Sequence, residues 1–156
     1  MRFLIDIIYE KFYNKVYILL IKMSALPPIA TLESNLINAV NRYRVNLGLN
    51  PLIVDNRISN IARQHSSNMA NKLVPFGHTG FDRRVAQIGT FLRYNAVGEN
   101  VAFNKGYQAP AAQAYISWIN SPSHLSNIVG RYNRTGLGIA RNGLGEYYFT
   151  QIFVNV

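Results

Sequence analysis

Cysteine is absent from the 156 residues, which excludes a disulfide framework, a thiolate nucleophile and any cysteine-ligated zinc or iron–sulfur centre. Acidic residues are nearly as scarce, 7 Asp and Glu against 16 Lys and Arg, for a net charge of +9. Beyond Glu33 there are only Asp55, Asp82, Glu99 and Glu146, so the surplus reflects missing acids as much as added bases. Apart from Arg83-Arg84 the basic residues stand singly, with no dense run to track a phosphate backbone. Nucleic acid is therefore not an expected partner. A solvated surface, or contact with an anionic membrane or cell surface, accounts for the charge. No apolar run reaches the roughly 18 uninterrupted residues of a membrane-spanning helix. With 49% hydrophobic and 15% charged residues the chain is too apolar for intrinsic disorder, and its length suits one globular domain.

Residues 1–30 differ in character from the rest of the chain. Apolar patches at Phe3-Leu4-Ile5 and from Val16 to Ile21 are broken by Asp6, Glu10, Lys11, Lys15 and Lys22. Three readings fit: a secretory signal with a short apolar region, an extension ahead of a true start at Met23, or an amphipathic anchor. Pro27-Pro28 marks the linker, because two prolines do not continue a helix. The organised domain is expected over 31–156.

Within it, Leu32, Leu36, Ile37, Val40 and Tyr43 recur at helical spacing, with Thr31 as the expected cap and Gly48 as the stop. Asp55 is placed to cap a second helix whose apolar face carries Ile58, Ile61, Ala62, His65 and Met69 and which ends near Asn71. A short helix over Phe81–Ile88, an apolar stretch over Ala96–Ala102 and a helix from Pro110 to the break at Ser121-Pro122 come next. Arg134–Ala140 and Glu146–Val154 read as strands joined by a turn at Asn142-Gly143-Leu144-Gly145. The sum is an α+β domain whose helices cover a small, mainly antiparallel sheet.

No Walker phosphate loop, dinucleotide glycine fingerprint, His-Glu-x-x-His or Gly-x-Ser-x-Gly elbow is present, and no serine is spaced from a histidine and an acid like a nucleophilic triad. Histidines and carboxylates remain. His78 lies in a loop flanked by glycines, and Glu99 sits in an apolar run between Gly98 and Asn100, where a half-buried carboxylate needs a partner. Paired, the two could serve as general acid and base or as two ligands of a zinc-like ion. Equally, they could be a structural ion pair tying the loop to the sheet. His65, on an apolar helix face, reads as a core residue. His124 lies in a short helical turn that Ser121 or Ser123 can cap, either stitching that turn to the domain or facing a polar cleft. Tyr148, Phe149 and Phe153 alternate between core and the opposite face of a strand.

The ordered set of segments resembles the cysteine-free bacterial branch of the CAP superfamily (cysteine-rich secretory protein, antigen 5 and pathogenesis-related 1), also called the SCP domain. The residues that carry the resemblance begin with Asn41-x-x-Arg44-x-x-x-Gly48-Leu49-x-Pro51-Leu52, Ala62-x-x-His65-Ser66 and His78-Thr79-Gly80-Phe81-Asp82-x-Arg84. They continue through Gly98-Glu99-Asn100-Val101-Ala102, Trp118-x-x-Ser121-Pro122-x-His124-x-x-Asn127-Ile128, Gly136-Leu137-Gly138 and Tyr148-Phe149-Thr150-Gln151-x-Phe153. The resemblance implies an α-β-α sandwich, secreted or at the cell surface, with a cleft lined in many members by two histidines and two acids that bind a divalent metal such as zinc. His78 and Glu99 match the first histidine and one acid, while Tyr148 and Ser121 take the other two places. That leaves His78 and Glu99 as metal ligands, joined by His124 if it reaches the cleft, where a catalytic zinc wants three protein ligands. The resemblance thus points to a cleft formed by His78, Glu99, Tyr148, Ser121 and His124. Its expected role is a non-enzymatic binding module, monomeric or weakly dimeric, for a small-molecule, lipid, sterol or envelope-polymer ligand. A weak metal-dependent hydrolase with Glu99 as general base is the alternative.

Overall fold

The computed structural model describes residues 26–156 together with residues 15 and 16. The readings of the N-terminal extension fall almost wholly outside them.

Helix α1 spans Ile29–Asn46. It begins ahead of Thr31, the expected cap, because the Pro28 carbonyl accepts from the Thr31 and Leu32 amides and Thr31 is already inside the first turn. Leu32, Leu36 and Val40 form its buried stripe, and Arg44 closes it. The Arg44 guanidinium is itself buried, donating to the carbonyls of Asn50, Ile128, Gly130 and Tyr132. That desolvation pulls its pKa down, and it anchors the α1 terminus to the loop beyond residue 128. A two-residue strand, β1 (Ile53–Val54), comes next; sequence periodicity did not reveal it because two residues carry no period. Helix α2 spans Asn56–Ala70, with Asp55 accepting from the Arg57 amide at 2.9 Å as the expected cap.

Helix α3 (Phe81–Gly89) starts at Gly80, whose φ of 78° turns the chain sharply after His78. Strand β2 (Ala96–Lys105) runs three residues past Ala102, the expected end, because it pairs with β4 without a break from Ala96 opposite Asn155 to Lys105 opposite Glu146. Helices α4 (Pro110–Ile119) and α5 (Pro122–Ile128) lead to β3 (Arg134–Arg141) and β4 (Glu146–Asn155). In the turn between these strands, Asn142 Oδ1 accepts from the amides of Leu144 and Glu146.

The strands form one sheet in the order β1-β3-β4-β2, parallel only at β1–β3. On one face α1, α4 and α5 bury Leu36, Val40 and Trp118 against Phe149 and Phe153; on the other, α2 and α3 bury Ile58 and Ile88 against Ile152 and Val154. The expected α-β-α sandwich is therefore present. Helix α2 lies so close to β3 that a Cβ on Gly136 or Gly138 would fall on the backbone of Ser59 or Arg63, which accounts for the Gly136-x-Gly138 pair.

Candidate functional site

Alternation along β2 explains the polar residues in its apolar run. Glu99, Val101 and Phe103 face the α2–α3 layer, while Asn100 faces the opposite layer. Glu99 and Asn100 are each satisfied on their own face. Asn100 donates to the His124 carbonyl at 3.0 Å and accepts from Asn127 at 2.9 Å, so α5 is held to the strand.

Glu99, with its side chain only 2% exposed, meets a guanidinium rather than an imidazole as its main partner. Arg84, from the first turn of α3, donates through Nε to Oε2 and through Nη2 to Oε1, both at 2.7 Å. This fork satisfies both carboxylate oxygens and offsets the desolvation of a buried charge. His78 is the second partner, donating from Nδ1 to Oε1 at 2.9 Å. Because a carboxylate only accepts, the contact places a proton on Nδ1, and the side chain that carries the other ring nitrogen is 53% exposed. Arg84 Nη1 donates to the Thr79 carbonyl and to His65 Nδ1, and His65 Nε2 in turn donates to the Gly77 carbonyl. His65 is buried, as its position on the apolar face implied, and it orients Arg84 from behind. Burial is the main force pulling its pKa down, with the Gly77 carbonyl opposing.

The other sequence-derived candidates separate into two groups. Ser121 Oγ and His124 Nδ1 share a hydrogen bond of 2.8 Å, so the Ser121 side chain holds His124 and caps no amide of α5. His124 has its pKa lowered, chiefly by burial. Tyr148 does not join the His78–Glu99 pair. It stands opposite Phe103, four residues along β2 from Glu99, and its hydroxyl donates to Glu146 at 3.5 Å. Burial and Glu146 both push its pKa up. Phe76, Phe103 and Tyr148 form an aromatic row with centroid separations of 6.2 and 5.1 Å. A cavity of about 500 Å³ lies between α2 and α3, lined by His65, Thr79, Arg84, Gln64 and Gln87 among others. It adjoins the far side of the Arg84 network rather than His78.

The residue that sequence reasoning left without a role is thus Arg84. Its signal was present: a half-buried glutamate calls for a cation, and Arg84 lies six positions beyond His78 in a segment that turns at Gly80.

Residues 37–153 match the CAP domain, the cysteine-rich secretory protein family. This chain belongs to the CAP family. An uncharacterized protein, YkwD, of Bacillus subtilis is 29% identical over 124 residues, and this CAP chain spans about half of that relative's length. Among solved structures, an outer surface protein of Borrelia burgdorferi superposes with a TM-score of 0.68 at 18% identity, covering 83% of this chain and 96% of that one. An extracellular SCP-domain protein of Bacillus anthracis gives 0.66 at 21% identity, over 81% of this chain and 41% of the other. A cysteine-rich secretory protein of Staphylococcus aureus gives 0.64 at 22%, over 81% and 39%. At these identities the structures establish a shared CAP fold.

The donor set does not fit a divalent metal. Both Glu99 oxygens accept from Arg84, which neutralises the carboxylate's charge, and Oε1 also accepts from His78 Nδ1, so the His78 nitrogen nearest the carboxylate is a donor rather than a ligand. Tyr148, in place of a histidine, directs its hydroxyl to Glu146. Among the described residues no group of three or more His, Asp or Glu side chains is arranged to hold a metal ion.

Proposed function

We propose that this CAP domain acts outside the cell or at its surface as a non-enzymatic binding module, in which His78, Ser121 and His124 present hydrogen-bonding groups to a small-molecule, lipid or envelope-associated ligand. The observation that carries this reading is the bidentate Arg84–Glu99 pair. A general base must reach the proton it takes, and the Glu99 carboxylate is 2% exposed and faced by the Arg84 fork on one side and by His78 on the other. His78, oriented by Glu99 through Nδ1, keeps Nε2 free for a ligand, an arrangement suited to recognition. The extracellular setting is favoured by two similar structures, one an outer surface protein and one an extracellular protein.

The test combines zinc titration with a peptide and ester panel, followed by binding of acyl lipids, sterols and envelope glycans. Zinc is expected neither to support turnover nor to raise the melting temperature; a ligand at 100 times its Kd would add ~2.7 kcal/mol of stability. His78→Ala is expected to weaken the retained lipid or glycan at least tenfold. Zinc-dependent turnover that disappears in both His78→Ala and Glu99→Gln would establish the hydrolase instead.

A further inference from the structure

One end of the sandwich carries a surface that the His78 site does not use. The C-terminus of α2, the end of β2 and the β3–β4 turn meet there: Asn142 in the turn donates to the Ala70 carbonyl, and Lys105 pairs with Glu146 at 3.5 Å. From these segments project large apolar side chains. Leu73 is 73% exposed, Leu144 62% and Phe76 54%, with Tyr107 and Phe103 also open to solvent. Phe76 rests edge-on against Phe103, so two of the rings form a continuous exposed patch. Basic residues adjoin them in the chain, Lys72 before Leu73 and Lys105 before Gly106-Tyr107, while Arg141 lies over the Tyr147 ring on the other face. Glu146 is the acid at this end, and it is engaged by Lys105 and Asn142.

We propose that this end docks on an anionic phospholipid bilayer, with Leu73, Phe76 and Leu144 entering the headgroup region and Lys72 and Lys105 against the lipid phosphates. Charge complementarity selects that partner. A second copy of the chain would set lysine against lysine, and a soluble anionic polymer would leave the exposed aromatic and leucine side chains in water. Mixed basic and large apolar residues at one surface match the two layers of a bilayer interface, charged outside and apolar within. The patch borders the His78 cleft, since Phe76 lies two residues before His78 and Phe103 packs on Tyr148, but Leu73, Lys72 and Lys105 are no part of that cleft, so variants at these three test the docking surface apart from the His78 site.

Co-sedimentation with vesicles of phosphatidylglycerol and phosphatidylcholine, against phosphatidylcholine alone, tests the assignment on the full chain. The wild type is expected to pellet with the anionic vesicles and to be released by salt. Lys72→Gln with Lys105→Gln should lower the partition constant about 25-fold, from about fivefold per basic residue near an anionic surface. Leu73→Ser with Leu144→Ser should lower it at least tenfold while the melting temperature stays put, because these are the two most exposed apolar side chains of the patch. Phe76→Trp should be quenched by brominated acyl chains, over a background from a fully buried Trp118. Failure of the wild type to bind, equal binding to neutral vesicles, or retention by both double variants would overturn the proposal. So would binding without quenching of the Phe76→Trp variant, which would indicate a purely electrostatic contact.

Discussion

Replacing Arg84 by methionine isolates the interaction on which the reading of the site depends. The side chain keeps much of its bulk but loses the two 2.7 Å contacts to Glu99 and those to Thr79 and His65. Glu99 then remains buried with His78 as its one side-chain partner. Removing one member of a buried ion pair costs about 3–5 kcal/mol, mostly through the charge left behind. For a chain of this size, at about 3 °C per kcal/mol, the melting temperature should fall by about 10–15 °C. The double variant Arg84→Met/Glu99→Leu should recover most of that loss, because an apolar pair of similar volume removes the stranded charge together with its partner. Urea denaturation and calorimetry at pH 7 on the two variants and the wild type measure both quantities. A single variant melting within about 3 °C of the wild type, or a double variant no more stable than the single, would show that Glu99 draws its compensation from elsewhere.

The packing and the titrating groups set further outcomes. Gly138→Ala should cost at least 1–3 kcal/mol in urea unfolding, because the new methyl falls on the α2 backbone. Gly143→Ala, where a Cβ meets open space, should be nearly silent. His65 and His124 have pKa values lowered by burial, so below about pH 6.5 the unfolded chain binds more protons than the folded one. Their contribution is complete above that pH and is lost as the pH falls, so the urea midpoint should drop between pH 7.5 and pH 5.5. Replacing His65 by Gln, which can still accept from Arg84 and donate to Gly77, should flatten the drop; an unchanged slope would assign it to other groups. Asp55→Ala should destabilise by about 1 kcal/mol through loss of the α2 cap, and Asp55→Asn by much less, as read from the unfolding midpoint.

The linear pattern of residues was sufficient for most of the architecture, because the signals involved are local. Asp55 ahead of an apolar face of Ile58, Ile61 and Met69 specifies a capped helix whatever lies around it. The turn residues between β3 and β4 likewise specify a hairpin. The same local logic flagged His78 and Glu99, since a glutamate inside an apolar strand demands a partner. Which partner it finds is not local. Arg84 reaches Glu99 because Gly80 turns the chain into α3 and because α3 packs on the same sheet face that β2 presents through Glu99. Tyr148 was drawn toward the site by its place in the motif, yet the register of β4 against β2 sets it beside Phe103 and gives its hydroxyl to Glu146. The exposed apolar and basic end arises in the same way, from segments around residues 73, 105 and 144 brought together by the sheet. Spacing along a chain encodes which side chains share a face of one element; strand register and helix packing choose among the partners, because they set the distances on which hydrogen bonds and ion pairs depend.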